Sequence, residues 1–405
     1  MATAKREPTL DVKLQNHGRI SKVKPVRVSL LGGRARRPAT WHLYQRYYLI
    51  GLRAIPRLEF SYADTADRRF AWALERNWPG ASRAWEYYAG RQARQREDKA
   101  NHVARYLFDL PTRAEPVRVA IDQHDGRGIR DPEAHDWAEV YFKVNRWPNL
   151  DYSEKVRGLV TGNGAPTQAR IDRLVALRDY PRHLDLVFIA KLWPSVPGPT
   201  HWHPVEHLVR LFETLAPLKI RSLLRAIVPR AHKGQLPKPY IDRLVNCGVH
   251  VTETNITVDE LWAATSAARV AFLRPGKHLC VSWRMIDHLA MGACTVCDRA
   301  AYTQWPVPMR SGREFVNCEI GIDQDESLPA IGDYECISDT VMALVHDVDR
   351  AASVREASVA YFDRHVTPQR IARYLIETAD HVAHDTGPKN IKPAKTRRIK
   401  RPSRR

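Results

Sequence analysis

The sequence predicts an α/β protein built from two Rossmann-like units, and two observations carry that prediction. Strand-like apolar runs alternate with helix-like runs in two successive series, one opening at residue 26 and the other near residue 184. The chain is 405 residues long and 44% hydrophobic, enough for two sizeable cores. Two such units would face each other across a cleft, with ligands held beyond the carboxyl ends of the strands.

In chain order, residues 1–25 read as a basic, flexible N-terminus. Residues 26–31 (VRVSLL) alternate as a strand should and run into Gly32-Gly33, a turn near the acceptor side of the cleft. A helix over 41–54 and a short strand over 58–62 follow. Residues 65–110 are rich in Ala, Arg, Glu and aromatics, with Pro79 as the only proline, and predict helices. Val117–Ile121 is a strand with Asp-Gln-His-Asp-Gly beyond it, and residues 139–143 form another. This first unit spans 26–180.

The second unit, 181–355, opens with a strand over 184–190. The helix over 204–215 has Pro204 in its first turn and Val205, Leu208, Val209, Phe212 and Leu215 on one stripe. Further strands are read over 222–228, 249–252, 270–273 and 293–297. Helices are read over 239–247, closed by Gly248, over 257–266, and over 282–291, ended by Gly292. Helices over 339–349 and 352–365 precede a restart at Thr367-Pro368 that runs to about 383, so residues 356–384 read as helices crossing back over the first unit. Residues 385–405 cannot build a core and read as a disordered basic tail.

The net charge of +19 is not spread over this body. Residues 1–37 carry +8 and residues 388–405 carry +9, leaving +2 for the rest. The basic ends suit a polyanion such as DNA or an anionic membrane face. The tail has no aromatic residue, so stacking on bases is not expected of it. No apolar leader opens the chain and no run approaches 18 apolar residues, which predicts a cytoplasmic protein with reduced cysteines and no spanning helix.

The segment 270–298, VAFLRPGKHLCVSWRMIDHLAMGACTVCD, resembles the donor-binding module of GT-B glycosyltransferases (group 1 and exostosin-like), whose helix reads R-x-x-E-x-L-A-x-G. Here the helix reads Arg284-Met-Ile-Asp287-His-Leu289-Ala290-Met-Gly292. Phe188-Ile-Ala-Lys191-Leu192 is similar to the opening strand of that family's second domain, and Tyr361–Pro368 to its terminal helices. Asp122-Gln-His-Asp125 followed by Val140-Tyr-Phe-Lys143 looks like its acceptor-side strands.

The resemblance implies transfer of a sugar from a nucleotide-sugar donor. A departing nucleoside diphosphate needs positive charge, for which Lys191 and Arg284 are candidates, with Ser282 and the amides at the helix start as further donors. Asp287 stands where the family's Glu meets the ribose hydroxyls, one methylene shorter. The position that carries a second Glu in retaining members is Leu279 here, which favours inversion. An inverting enzyme needs a base on the acceptor side. Asp125 is the first candidate, because the turn at Gly126 would expose it; His124 follows, and Asp122 shares a strand face with His124. A capping role for these acids at the turn, and a surface ion pair between Arg284 and Asp287, are the plainer readings of the same residues. Lys143 reads as a solvated strand end.

No metal or resident cofactor is expected, the nucleotide sugar being a substrate. Cys294 and Cys297 lie on a strand, where residues three apart point to opposite faces, so packing is expected of them. His201, His203 and His207 have ligand-like spacing but no completing cluster. The acceptor expected is a hydroxyl, with hydroxylated bases in DNA as one class. A membrane-associated enzyme of glycan synthesis and a non-catalytic nucleic-acid-binding protein are the alternatives.

Overall fold

The computed structural model describes residues 24–31, 42–63, 103–163, 167–192, 204–229, 236, 238–276, 280–298, 303–318 and 331–385. The basic N-terminus up to residue 23, Gly32-Gly33, His201, His203, Leu279 and the tail from residue 386 lie outside them.

The described strands form two six-stranded sheets. The first contains β1 (Val26–Leu31), β2 (Leu58–Tyr62), β3 (Val103–Asp109), β4 (Val117–Asp122), β5 (Val140–Lys143) and β6 (Val156–Gly158), in the order β2-β1-β3-β4-β5-β6. The expectation of helices across 65–110 fails at its far end. Residues 103–109 (VARYLFD) are a central strand that runs antiparallel to both β1 and β4, with Val28 opposite Phe108 and Tyr106 opposite Val119. The local alternation decides the matter. Ala104, Tyr106 and Phe108 all enter the core, and burial on a sheet face outweighs the helix-favouring composition upstream. The first sheet is therefore mixed.

The second sheet is wholly parallel. Its strands are β7 (Leu184–Lys191), β8 (Ser222–Ile227), β9 (His250–Thr252), β10 (Ala268–Leu273), β11 (Cys294–Cys297) and β12 (Val316–Asn317), in the order β12-β11-β10-β7-β8-β9. Read from β9, this is the doubly wound order 3-2-1-4-5-6, and its switch point lies between β7 and β10. β7 is buried at six successive positions, as a strand covered on both faces must be. Cys294 packs on one face and Cys297 on the other.

Most helices fall close to the sequence reading, but Pro132–Trp137 and Gln168–Ala176 were not read there. The helices are α1 (His42–Arg53), α2 (Pro132–Trp137), α3 (Gln168–Ala176), α4 (Pro204–Leu215), α5 (Lys238–Asn246), α6 (Val258–Ser266), α7 (Arg284–Met291), α8 (Glu335–His346), α9 (Val348–Tyr361) and α10 (Pro368–Asp385). A full capping box opens α6: Thr257 Oγ1 accepts from the Glu260 amide, and the Glu260 carboxylate accepts from the Thr257 amide. Gly292 ends α7 in the left-handed region at φ 64°, and a Cβ there would stand 2.8 Å from Val359. One π turn over Phe362–Val366 joins α9 to α10.

The chain then returns to where it began. α10 packs on α1 and on the first sheet: Tyr47 OH donates to the Val366 carbonyl, and Tyr374 OH donates to the Gly158 carbonyl at 3.0 Å. Arg178 ties the two halves from below. Its Nε donates to the Ala290 carbonyl at 2.8 Å, and its Nη atoms make two bonds to the Asp363 carboxylate at 2.7 and 3.1 Å.

Candidate active site

The carboxyl ends of the two sheets face one another. The residues after β5 meet the segment that follows β11: Thr303 Oγ1 donates to Asn145 Oδ1 at 2.9 Å, and the Gln304 amide donates to the Arg146 carbonyl at 2.8 Å.

On the second sheet, Lys191 is the last residue of β7, at the switch point. Arg284 is the first residue of α7, and its Nη1 donates to the Ile189 carbonyl at 2.8 Å, on the strand that ends in Lys191. Ser282 Oγ accepts from the Arg284 amide at 3.3 Å, and the Ser282 carbonyl accepts from the Met285 amide at 2.9 Å, so Ser282 shapes the first turn. Lys191, Ser282 and Arg284 are thus brought to one strand end. Two cationic side chains, a hydroxyl and the positive end of a helix are groups that suit an oxyanion.

Asp287 does not join them. It is 1% exposed, its Oδ1 accepts from Asn163 Nδ2 at 3.0 Å, and its Oδ2 accepts from Trp262 Nε1 at 2.9 Å. Both oxygens are turned inward, between the loop after β6 and helix α6. Burial pushes its carboxyl up to about 7, against the two hydrogen bonds and the more distant Arg284 and Arg170.

On the first sheet, Asp122 also points inward. It is fully buried at the end of β4. Its Oδ1 accepts from the His124 amide at 2.9 Å, while its Oδ2 accepts from Tyr141 OH at 2.9 Å and from Lys143 Nζ at 3.0 Å. Three donors hold this buried carboxylate, and through the His124 amide it shapes the loop after β4. Lys143 corrects its expectation too: it is fully buried in the ion pair and not solvated.

His124 and Asp125 remain at the edge. His124 Nδ1 accepts from the Gly126 amide at 2.8 Å, so the neutral ring carries its proton on Nε2. That nitrogen lies 3.7 Å from Asp125 Oδ1. Gly126 is needed for this turn, because a Cβ there would stand 2.7 Å from the imidazole. With Nε2 protonated, His124 is a donor towards Asp125 and not itself a base. The Asp125 side chain is 45% exposed, the most accessible carboxylate of the three.

Sequence reasoning missed the neutral partners. Asn163 and Trp262 hold Asp287, Tyr141 holds Asp122, and Asn145 and Thr303 join the two edges; no spacing signal marks any of them. It also missed a buried set in which His207 bonds Asp298 Oδ2 through Nε2 and Tyr334 OH through Nδ1, each at 2.7 Å. Among the described residues no group of three or more His, Cys, Asp or Glu is arranged to hold a metal. Burial pushes the Cys294 thiol up to about 12 and the Cys297 thiol up as well, which suits packing. No helix among the described residues is long and apolar enough to cross a membrane.

No protein-family model matches the sequence, and no curated protein matches it. Solved structures similar to the chain include GT-B glycosyltransferases. Anabaena HepE in complex with UDP-glucose has a TM-score of 0.43 and 10% identity, covering 88% of this chain and 100% of that one. A glycosyltransferase from Rickettsia africae has a TM-score of 0.38 and 11% identity over 61% of this chain. Acinetobacter baumannii MurG has a TM-score of 0.31 and 14% identity over 60% of it. The chain spans less than two thirds of the length of the latter two, 64% and 65%. Likenesses this distant bear on neither the reaction nor the ligands, which must be argued from the chain's own residues; what stands is the architecture, two α/β units facing across a cleft with the C-terminal helix packed back on the first.

Proposed function

We propose that the chain is a nucleotide-sugar-dependent glycosyltransferase. The observation that carries this reading is the convergence of Lys191, Ser282 and Arg284 on the switch point of a doubly wound sheet, opposite the exposed carboxylate of Asp125. In this reading Lys191 and Arg284 meet the diphosphate and stabilise the charge that grows on it as the sugar leaves. The Ser282 hydroxyl proton and the positive end of the α7 dipole add to the same field. The ribose contact then belongs to some group other than Asp287.

Asp125 takes the proton from the acceptor hydroxyl, and the His124 Nε2–H, 3.7 Å away, steadies the carboxylate. A single base on the acceptor side fits direct displacement with inversion. The acceptor is a hydroxyl. The charges of +8 and +9 at the two ends make DNA carrying hydroxylated bases the acceptor class to assay first.

The test is nucleoside diphosphate release across UDP-, GDP- and dTDP-sugars. Arg284→Ala should weaken donor binding, and Asp125→Asn should lower turnover while leaving donor binding in place. If no donor is bound and Arg284→Ala changes nothing, the reading fails. Modified DNA offered to the full chain and to a chain ending at Gly387 tests the acceptor: a lower affinity and a shallower salt dependence without the tail support DNA.

A further inference from the structure

We infer that Thr303 is a positioning residue which, through Asn145, fixes the backbone of Asp125 against the start of the donor helix; the inference rests on the glycosyltransferase reading. Three hydrogen bonds run in series across the two edges, and a fourth, from Trp147, ends on the Asn145 oxygen in the middle. The Val281 amide donates to Thr303 Oγ1 at 3.1 Å. Thr303 Oγ1 donates to Asn145 Oδ1 at 2.9 Å. Trp147 Nε1 donates to the same Asn145 oxygen at 3.0 Å. Asn145 Nδ2 donates to the Asp125 carbonyl.

The direction of each bond is fixed by chemistry. An indole N–H only donates, so the Asn145 atom facing Trp147 must be the oxygen. The amide nitrogen is thereby aimed at Asp125. The Thr303 hydroxyl accepts from a backbone amide and so spends its one proton on Asn145. Trp147 is itself held in place: it is 3% exposed, and the Arg127 guanidinium lies 3.8 Å from the centre of its ring. Arg127 belongs to the same loop as Asp125, and its carbonyl accepts from Tyr152 OH at 2.7 Å. Val281, at the other end of the series, precedes Ser282, which shapes the first turn of α7. One hydroxyl therefore joins the turn that would hold the diphosphate to the loop that would hold the base. The proton acceptor is then placed only when the two sheets' ends are together.

Thr303→Val keeps the shape and removes the hydroxyl, leaving the Val281 amide and one Asn145 lone pair unmatched. In the full chain it should accelerate amide exchange in residues 123–128, read by mass spectrometry. With nucleotide sugars that the wild-type protein turns over, it should lower the maximal rate of nucleoside diphosphate release roughly tenfold, the scale of one buried hydrogen bond. The KM for the donor should stay within about twofold, because Lys191 and Arg284 are untouched. Thr303→Ser, which restores the hydroxyl, should restore both readouts. Unchanged exchange in 123–128, an unchanged rate, or exchange raised equally along the whole chain would each overturn the inference. If the wild-type protein turns over no nucleotide sugar, the glycosyltransferase reading falls, and the exchange result still decides whether Thr303 orders the Asp125 loop.

Discussion

Two carboxylates, Asp122 at the end of β4 and Asp287 in α7, are buried almost completely, yet they are treated in opposite ways. Asp122 is met by a cation, Lys143, besides a phenol and a backbone amide. Asp287 is met by two neutral donors only, an amide and an indole. A buried carboxylate beside a cation is held in an ion pair at the expense of desolvating both. A buried charge with neutral partners instead becomes a proton-binding group near neutrality. The first half thus contains an ion pair under its loop, and the second half contains a carboxyl that titrates between its own helices and Asn163 of the first half.

Removing the cation should have the largest effect. Lys143→Met strands the Asp122 carboxylate, and such a loss costs about 3–5 kcal/mol, read as a lower denaturant midpoint. Trp262→Phe removes one of the two donors to Asp287 and should cost about 1–3 kcal/mol. It should also move the Asp287 carboxyl further up, read by carboxyl chemical shifts.

The pH dependence is smaller and has a definite sign. The Asp287 carboxyl lies at about 7 when folded, above the ordinary carboxylate value, so the folded chain binds the extra proton. Its contribution to stability is complete below the unfolded value near 4 and is lost as pH rises towards 7. Asp287→Asn should flatten the stability curve between about pH 4 and 7. A wild-type curve with no such slope, or one that Asp287→Asn leaves unaltered, would overturn the reading of Asp287 as a group that binds a proton near neutrality. Last, Arg284→Ala should change stability least and diphosphate binding most, by about tenfold for one charge-assisted contact.

The second sheet was legible in the sequence at five of its six strands to within two residues, while its two-residue β12 was not read. Its strands are continuous apolar runs, and its helices are bounded by Thr257, Gly248 and Gly292, whose local chemistry ends or begins a helix whatever surrounds it. β3 was not legible, because a strand between two antiparallel neighbours is decided by those neighbours and not by the Ala- and Arg-rich composition before it. At the site, the motif placed Arg284 and Lys191 at a strand end, since that depends on position along an element. The direction of Asp287 and Asp122 depended on Trp262, Asn163, Tyr141 and Lys143, which lie 19 to 124 residues away along the chain. Side-chain destinations of that kind are set by packing and leave no local mark.

The seating of α10 on α1 has a consequence for the order of assembly. Tyr47 and the carbonyl it bonds, at Val366, are 319 residues apart. Leu375 and Ala379 of α10 belong to the same core as Tyr47, Tyr48 and Leu52 of α1. The first helix of the described chain therefore waits, during synthesis, for nearly all of the rest before its apolar face is covered. A ribosome-bound chain stopped before Pro368 should leave that face open to chaperones and proteases, while the parallel sheet, complete by residue 317, can already close around β7.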